Sequence, residues 1–177
     1  MDTQINFYLS QNNLYSLEST IKVPISIYNI LEVLDNKLVV ALSEELKLFD
    51  LKTRAFIKEL KGVKCYGDWV NDNICLLKDN YLSVCGNSFI YVVDLVQFKI
   101  VNQLNTNSNN ICLLFWDNAL FTGTDRGIIQ EYIVKDFNLI KISYKEKCHQ
   151  KCIWQIIKDE EGNLISCSHD NYIKVWK

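Results

Sequence analysis

The chain has 177 residues, close to half of them hydrophobic, and 19 Lys and Arg against 21 Asp and Glu give it a formal charge of −2. That length holds one core-forming domain. The basic residues are scattered, so no clustered positive surface for nucleic acid or an anionic membrane is expected, and no apolar run approaches the roughly 20 residues of a membrane-spanning helix.

The opening Met1-Asp2-Thr3-Gln4-Ile5-Asn6 lacks the basic start and long apolar core of a secretory signal. Seven cysteines, an odd number spread through strand-like segments, fit reduced and mostly buried thiols in the cytoplasm or nucleus better than a disulfide framework. The densest basic group, Lys145, Lys147 and Lys151, is small.

In chain order, short β-type runs alternate with turn residues. Residues 1–23 read as two strands, Ile5 to Leu9 and Leu14 to Thr20. Residues 24–62 give Ile25 to Val33, Lys37 to Leu42, Leu46 to Phe49 and Ala55 to Leu60. A helix over Leu42 to Lys52 competes on propensity, but the flanking runs have strand lengths and strand alternation. Residues 63–105 give Val70 to Leu77, Tyr81 to Cys85, Phe89 to Val93 and Lys99 to Leu104. Residues 106–147 give Ile111 to Phe115, Ala119 to Thr124, Ile128 to Val134 and Leu139 to Tyr144. Residues 148–177 give Cys152 to Ile157, Leu164 to Ser168 and Tyr172 to Trp176, with no outer strand.

The runs ending at Tyr8, Phe49, Val93, Tyr132 and Trp176 are spaced by 41, 44, 39 and 44 positions. Four strands per unit at this period predict an all-β fold of four-stranded antiparallel blades, a propeller.

The last unit resembles a WD repeat. It reads Cys148-His149-Gln150-Lys151-Cys152-Ile153-Trp154, then Ser166-Cys167-Ser168-His169-Asp170-Asn171-Tyr172-Ile173-Lys174-Val175-Trp176. The resemblance implies that His149, Ser166, Asp170 and Trp176 form one buried hydrogen-bonded group pinning the turns of the blade. Upstream the match thins. Arg126 and Tyr132 stand where the buried Asp and Trp are expected, Tyr66 takes the His position beside Ser83, Asn87 and Val93, and Phe49-Asp50 is a conservative form of Trp-Asp. WD-type rings need roughly 300 residues at this period. The expectation is therefore an incomplete or open ring of about four blades, completed by further blades of a longer protein or by a second copy.

Other chemistry reads weakly. Cys148, His149 and Cys152 could suggest zinc, but the second ligand pair would have to be Cys167 and His169, which flank a strand-to-turn passage; packed strand positions for the cysteines account for them better. Neither His149 nor His169 has an evident orienting group for a Cys–His nucleophile. Asp159, Glu160 and Glu161 read as a solvated hairpin tip with Gly162. Gly123 and Gly127 lack the following helix that a phosphate loop uses.

The expectation is a non-catalytic protein–protein interaction scaffold with no cofactor and no metal. Proteins or peptides are its expected partners, and Tyr66, Trp69, Trp116, Arg126 and Lys151 its candidate contact residues. An enzyme or metal-binding protein on the same scaffold, or a non-autonomous fragment, are the alternatives.

Overall fold

Strand-length runs, buried on both faces in Lys37–Ala41 and Phe89–Asp94 and alternating in Lys99–Asn105, are broken by Asp-Asn and Gly turns and build the molecule from hairpins. The computed structural model describes residues 4–11, 14–23, 25–65, 72–78, 80–136, 138–145 and 147–177. These are all-β, with no helix among the described residues.

A hairpin, β1 (Gln4–Gln11) and β2 (Leu14–Lys22), is followed by the first four-stranded sheet, β3 (Asn29–Val33), β4 (Lys37–Ala41), β5 (Glu45–Asp50) and β6 (Phe56–Lys61). The second sheet holds β7 (Ile74–Leu76), β8 (Tyr81–Gly86), β9 (Phe89–Asp94) and β10 (Lys99–Asn105). The third holds β11 (Asn110–Trp116), β12 (Ala119–Thr124), β13 (Ile129–Lys135) and β14 (Asn138–Lys145). The last has three strands, β15 (Ile153–Lys158), β16 (Leu164–Ser168) and β17 (Ile173–Trp176). Each sheet is an antiparallel meander whose strand order follows the chain.

Most boundaries shift by one or two residues from the sequence reading, and two differ by more. The strand expected from Ile25 begins at Asn29, because Ile25 and Ile27 turn instead into the cluster under the hairpin. The strand expected from Val70 is described only from Ile74, Val70 itself lying outside the described residues.

The turns repeat a device. Asp35-Asn36 and Asp117-Asn118 both take positive φ (60° and 55°, 49° and 64°), the two-residue hairpin geometry whose twist suits the flanking strands. The carbonyls of Asn36, Asn80 and Asn118 then accept the N–H of Leu51, Leu95 and Val134, tying the first turn of each four-stranded sheet to the end of its third strand. There Asp50 accepts the N–H and hydroxyl of Thr53, and Asp94 the N–H groups of Val96 and Gln97. These are side-chain turns of the kind Asp favours.

A second set of bonds stitches neighbouring sheets. Carbonyls in the turn between the second and third strands accept N–H groups from the loop that enters the next sheet. Glu44 and Ser43 take Gly62 and Cys65, Ser88 and Asn87 take Thr106 and Asn110, and Gly127 takes His149.

Between the stitched sheets lie apolar layers. Val39, Leu46 and Leu48 meet Leu82, Val84 and Tyr91, and Ile90 and Val92 meet Leu113, Leu120 and Tyr132. Cys112 and Ile129 meet Ile153 and Ile156, while Ile5 and Val23 meet Leu38, Val40 and Phe49. A fully buried aliphatic side chain in such a layer is worth about 2 kcal/mol. Gly123 exists for this contact, since a Cβ there would lie 2.7 Å from the Cys112 sulfur and 2.8 Å from Ile153.

Candidate functional site

The last sheet carries a closed chain of polar side chains. β17 places Trp176 opposite Leu164, and β16 places Ser166 opposite Lys174. The Trp176 indole Nε1–H donates to Ser166 Oγ at 2.9 Å. Ser166 Oγ lies 2.8 Å from His149 Nε2. His149 Nδ1 lies 3.0 and 3.1 Å from the two oxygens of Asp170. With the indole donating, the consistent pattern has the Ser166 hydroxyl giving its proton to Nε2 and His149 carrying hydrogen on Nδ1 toward the carboxylate.

Asp170 is also held by the backbone. The N–H groups of Gln150 and Tyr172 donate to it at 2.9 and 3.1 Å. Burial pushes its carboxyl pKa up, but those two N–H donors and His149 outweigh this and leave it at about 2. Asp170 N–H in turn donates to Ser168 Oγ, whose hydroxyl donates to the Lys151 carbonyl at 3.2 Å. Lys174 Nζ donates to the Cys148 carbonyl at 2.5 Å.

Ser168, Lys174 and the Gln150 backbone were not singled out in the sequence. The Ser-x-Ser spacing was a usable signal for Ser168, because alternate residues of a strand share a face. Nothing local signals the other two.

The arrangement has the order of a Ser–His–Asp nucleophile, yet its surroundings close it. Ser166 and His149 are buried, and one side of Ser166 Oγ is taken by the Trp176 indole. A hydrolytic serine needs its oxygen open to a carbonyl and donors for the oxyanion. The group therefore ties four chain segments together.

The remaining candidates are dispersed. Tyr66 and Trp69 lie outside the described residues. Trp116 is 44% exposed at the end of β11, with the Lys158 ammonium over its ring. Arg126 and Lys151 are both exposed, on loops that abut at Gly127. Gly127 has φ +77°, and a Cβ there would sit 2.1 Å from the His149 carbonyl oxygen and 2.8 Å from that of Lys151, so its glycine serves loop contact.

His149 engages Asp170 and Ser166, while His169 stands edge-on to Trp154 at 5.9 Å. Among the described residues no three His, Cys, Asp or Glu side chains gather as a metal site. All seven cysteines are free thiols, five buried and Cys75 and Cys167 half-buried. Burial pushes the Cys65 and Cys75 thiols up to about 12, far from the thiolate form at neutral pH.

In the third sheet the same slots hold other residues. Thr122 stands where Ser166 does, and its buried hydroxyl has no partner among the described residues. Tyr132, in the register position of Trp176, is buried and donates its hydroxyl to Gln130 at 2.6 Å. Desolvation raises the Tyr132 phenol to about 12.

These features define an all-β chain of repeated small antiparallel sheets with one polar-bonded end. No family model matches it, and no curated protein matches it in sequence. Solved structures do match, among them the crystal structure of the computationally designed Ika4 protein, with a TM-score of 0.68, 17% identity, and 86% of this chain and 91% of that one covered. At that identity the likeness speaks to the fold alone.

Proposed function

We propose that the sheets are blades of an open WD-type propeller and that the chain serves as a non-catalytic protein–protein interaction scaffold. The observation that carries this is the Trp176–Ser166–His149–Asp170 chain of bonds, which occupies internally the polar groups a catalytic site would keep open. The stitched turns support it too. They hold the loops at one end of the sheets in fixed relation, as a docking platform requires. The free and mainly buried thiols are the ground for expecting a reducing compartment, cytoplasm or nucleus.

Proximity labelling in the native cell, with the tagged chain against a tag-only control, tests the reading. A reproducible set of protein neighbours is the expected result. Purified protein analysed for metal and for thiol reactivity provides the opposite outcome, since stoichiometric zinc or one hyper-reactive cysteine would replace the scaffold with a metal-binding or catalytic protein.

A further inference from the structure

Three cations stand at the junction of the third and last sheets. Arg126 lies in the turn between β12 and β13, and Lys147 and Lys151 in the loop between β14 and β15; all three are exposed. None forms an ion pair among the described residues. The two loops touch, because the Gly127 carbonyl accepts His149 N–H at 2.9 Å and Gly127 packs on the Lys151 carbonyl. The exposed His169 adjoins them through its N–H on the Cys152 carbonyl, at 3.0 Å, with Trp154 at its flank.

Two described carboxylates lie nearby and keep their negative charge. Asp125 accepts from Asn109 at 3.1 Å through one oxygen while the other is buried without a partner among the described residues, and Asp170 is bound by His149 and two backbone N–H groups. Glu146 lies outside the described residues.

The equivalent junctions upstream differ. Between the first and second sheets stand Glu44, exposed, and Lys64, whose ammonium lies over the Phe89 ring. Between the second and third, the turn Asn87-Ser88 meets the loop Thr106 to Asn110, and every one of those side chains is neutral. Among the described residues of the three junctions compared, the positive surplus, three cations against the carboxylates of Asp125 and Asp170, falls at this one, in a chain whose formal charge is −2.

We infer that this junction, with Arg126 and Lys151 at its centre, docks an acidic segment of a partner protein. The inference rests on the scaffold reading and adds the partner's chemistry. A guanidinium offers a carboxylate two parallel donors, and ammonium groups on either side add charge without demanding one geometry. Three cations at a single loop junction match a short acidic peptide. A nucleic acid would need a longer track of phosphate contacts.

The test uses the whole chain and a short fluorescein-labelled peptide of mixed Asp and Glu, followed by fluorescence anisotropy. Expected are saturable binding, weakening as salt is raised, and an affinity about tenfold lower in the double variant Arg126→Glu, Lys151→Glu. Lys64→Glu should leave the affinity unchanged. Both sites are exposed, so an unaltered thermal midpoint verifies that the variants fold. Absence of binding, indifference to the double reversal, or tighter binding of a thymidine oligonucleotide each overturns the inference. Proximity labelling with the double variant separates this failure from that of the scaffold reading. Neighbours kept by the variant would overturn the inference alone, whereas no neighbours even for the unmodified chain would remove the scaffold.

Discussion

Thr122 pairs across its ladder with Gln130, and Ser166 pairs with Lys174 at the same register one sheet later. Around Ser166 an indole, an imidazole and a carboxylate complete a bonded group; around Thr122 the hydroxyl is buried without a partner among the described residues. Both sheets are nevertheless antiparallel meanders, of four strands and of three, and the loop entering each is stitched to the turn of the sheet before it. The backbone plan therefore comes from turns and strand-length apolar runs, and the polar group is an added clamp. A buried hydroxyl without a partner costs free energy, while a satisfied network rigidifies what surrounds it.

The comparison is broken most severely at His149. His149→Ala leaves Ser166 and Asp170 without their shared partner and opens a cavity behind them, so the chain should lose about 3 kcal/mol in urea denaturation. Local hydrogen exchange should rise first in β16 and β17. A loss below a few tenths of a kcal/mol would show that the clamp adds nothing to the last sheet.

Ser166 and Thr122 give the sharpest contrast. Ser166→Ala removes the acceptor of the Trp176 indole and should cost about 2 kcal/mol. Thr122→Val removes a hydroxyl with no partner and keeps the side-chain shape, so stability should hold or rise by up to about 1 kcal/mol. Equal losses at both positions would contradict the difference drawn between the sheets.

Smaller still is the aromatic pair. Trp176→Phe loses the bond to Ser166, and Tyr132→Phe loses the bond to Gln130, each costing about 1 kcal/mol. Because Trp176 belongs to a network, the double variant with Ser166→Ala should show less than the sum of its parts. Tyr132→Phe combined with Thr122→Val should depart less from additivity, since the Tyr132 hydroxyl bonds to Gln130 and Thr122 meets Gln130 only through the strand ladder.

Much of this plan was readable in the residues. Asp35-Asn36 and Asp117-Asn118 mark hairpins because Asx residues tolerate positive φ, and Ala119–Thr124 and Leu164–Ser168 are strand-length runs led by apolar residues and bounded by turns. The start of β3 was not readable, since Ile25 and Ile27 alternate like strand residues while packing as a loop beneath the hairpin.

The candidate site divides the same way. Residue type and spacing pointed to His149, Ser166, Asp170 and Trp176 through the family resemblance, and their side chains meet. The stitching carbonyls of Ser43, Asn87 and Gly127 are backbone groups, which any sequence supplies. The meeting of Arg126 with Lys151 depends on two loops from different sheets, a relation no local pattern encodes.

The gentlest way to separate the two sheets is acid, which at neutral pH changes nothing. Asp170 in the folded chain ionises at about 2, below its ordinary 3.8, because two backbone N–H groups and His149 favour the carboxylate more than burial disfavours it. As pH falls from about 4, the unfolded chain takes up this proton first, so stability declines through that window and the contribution is gone below about 2. Asp50 and Asp159, lowered chiefly by Thr53 and Asn163, act in the same direction elsewhere, so the whole-chain slope is shared. Asp170→Asn should flatten only part of it. In hydrogen exchange between pH 4 and 2.5, that variant should lose the acid dependence in β16 and β17 while β12 and β13 keep theirs. An unchanged dependence in β16 and β17 would mean that Asp170 bears no depressed pKa, and that the clamp distinguishing the last sheet does not hold its charge as the geometry requires.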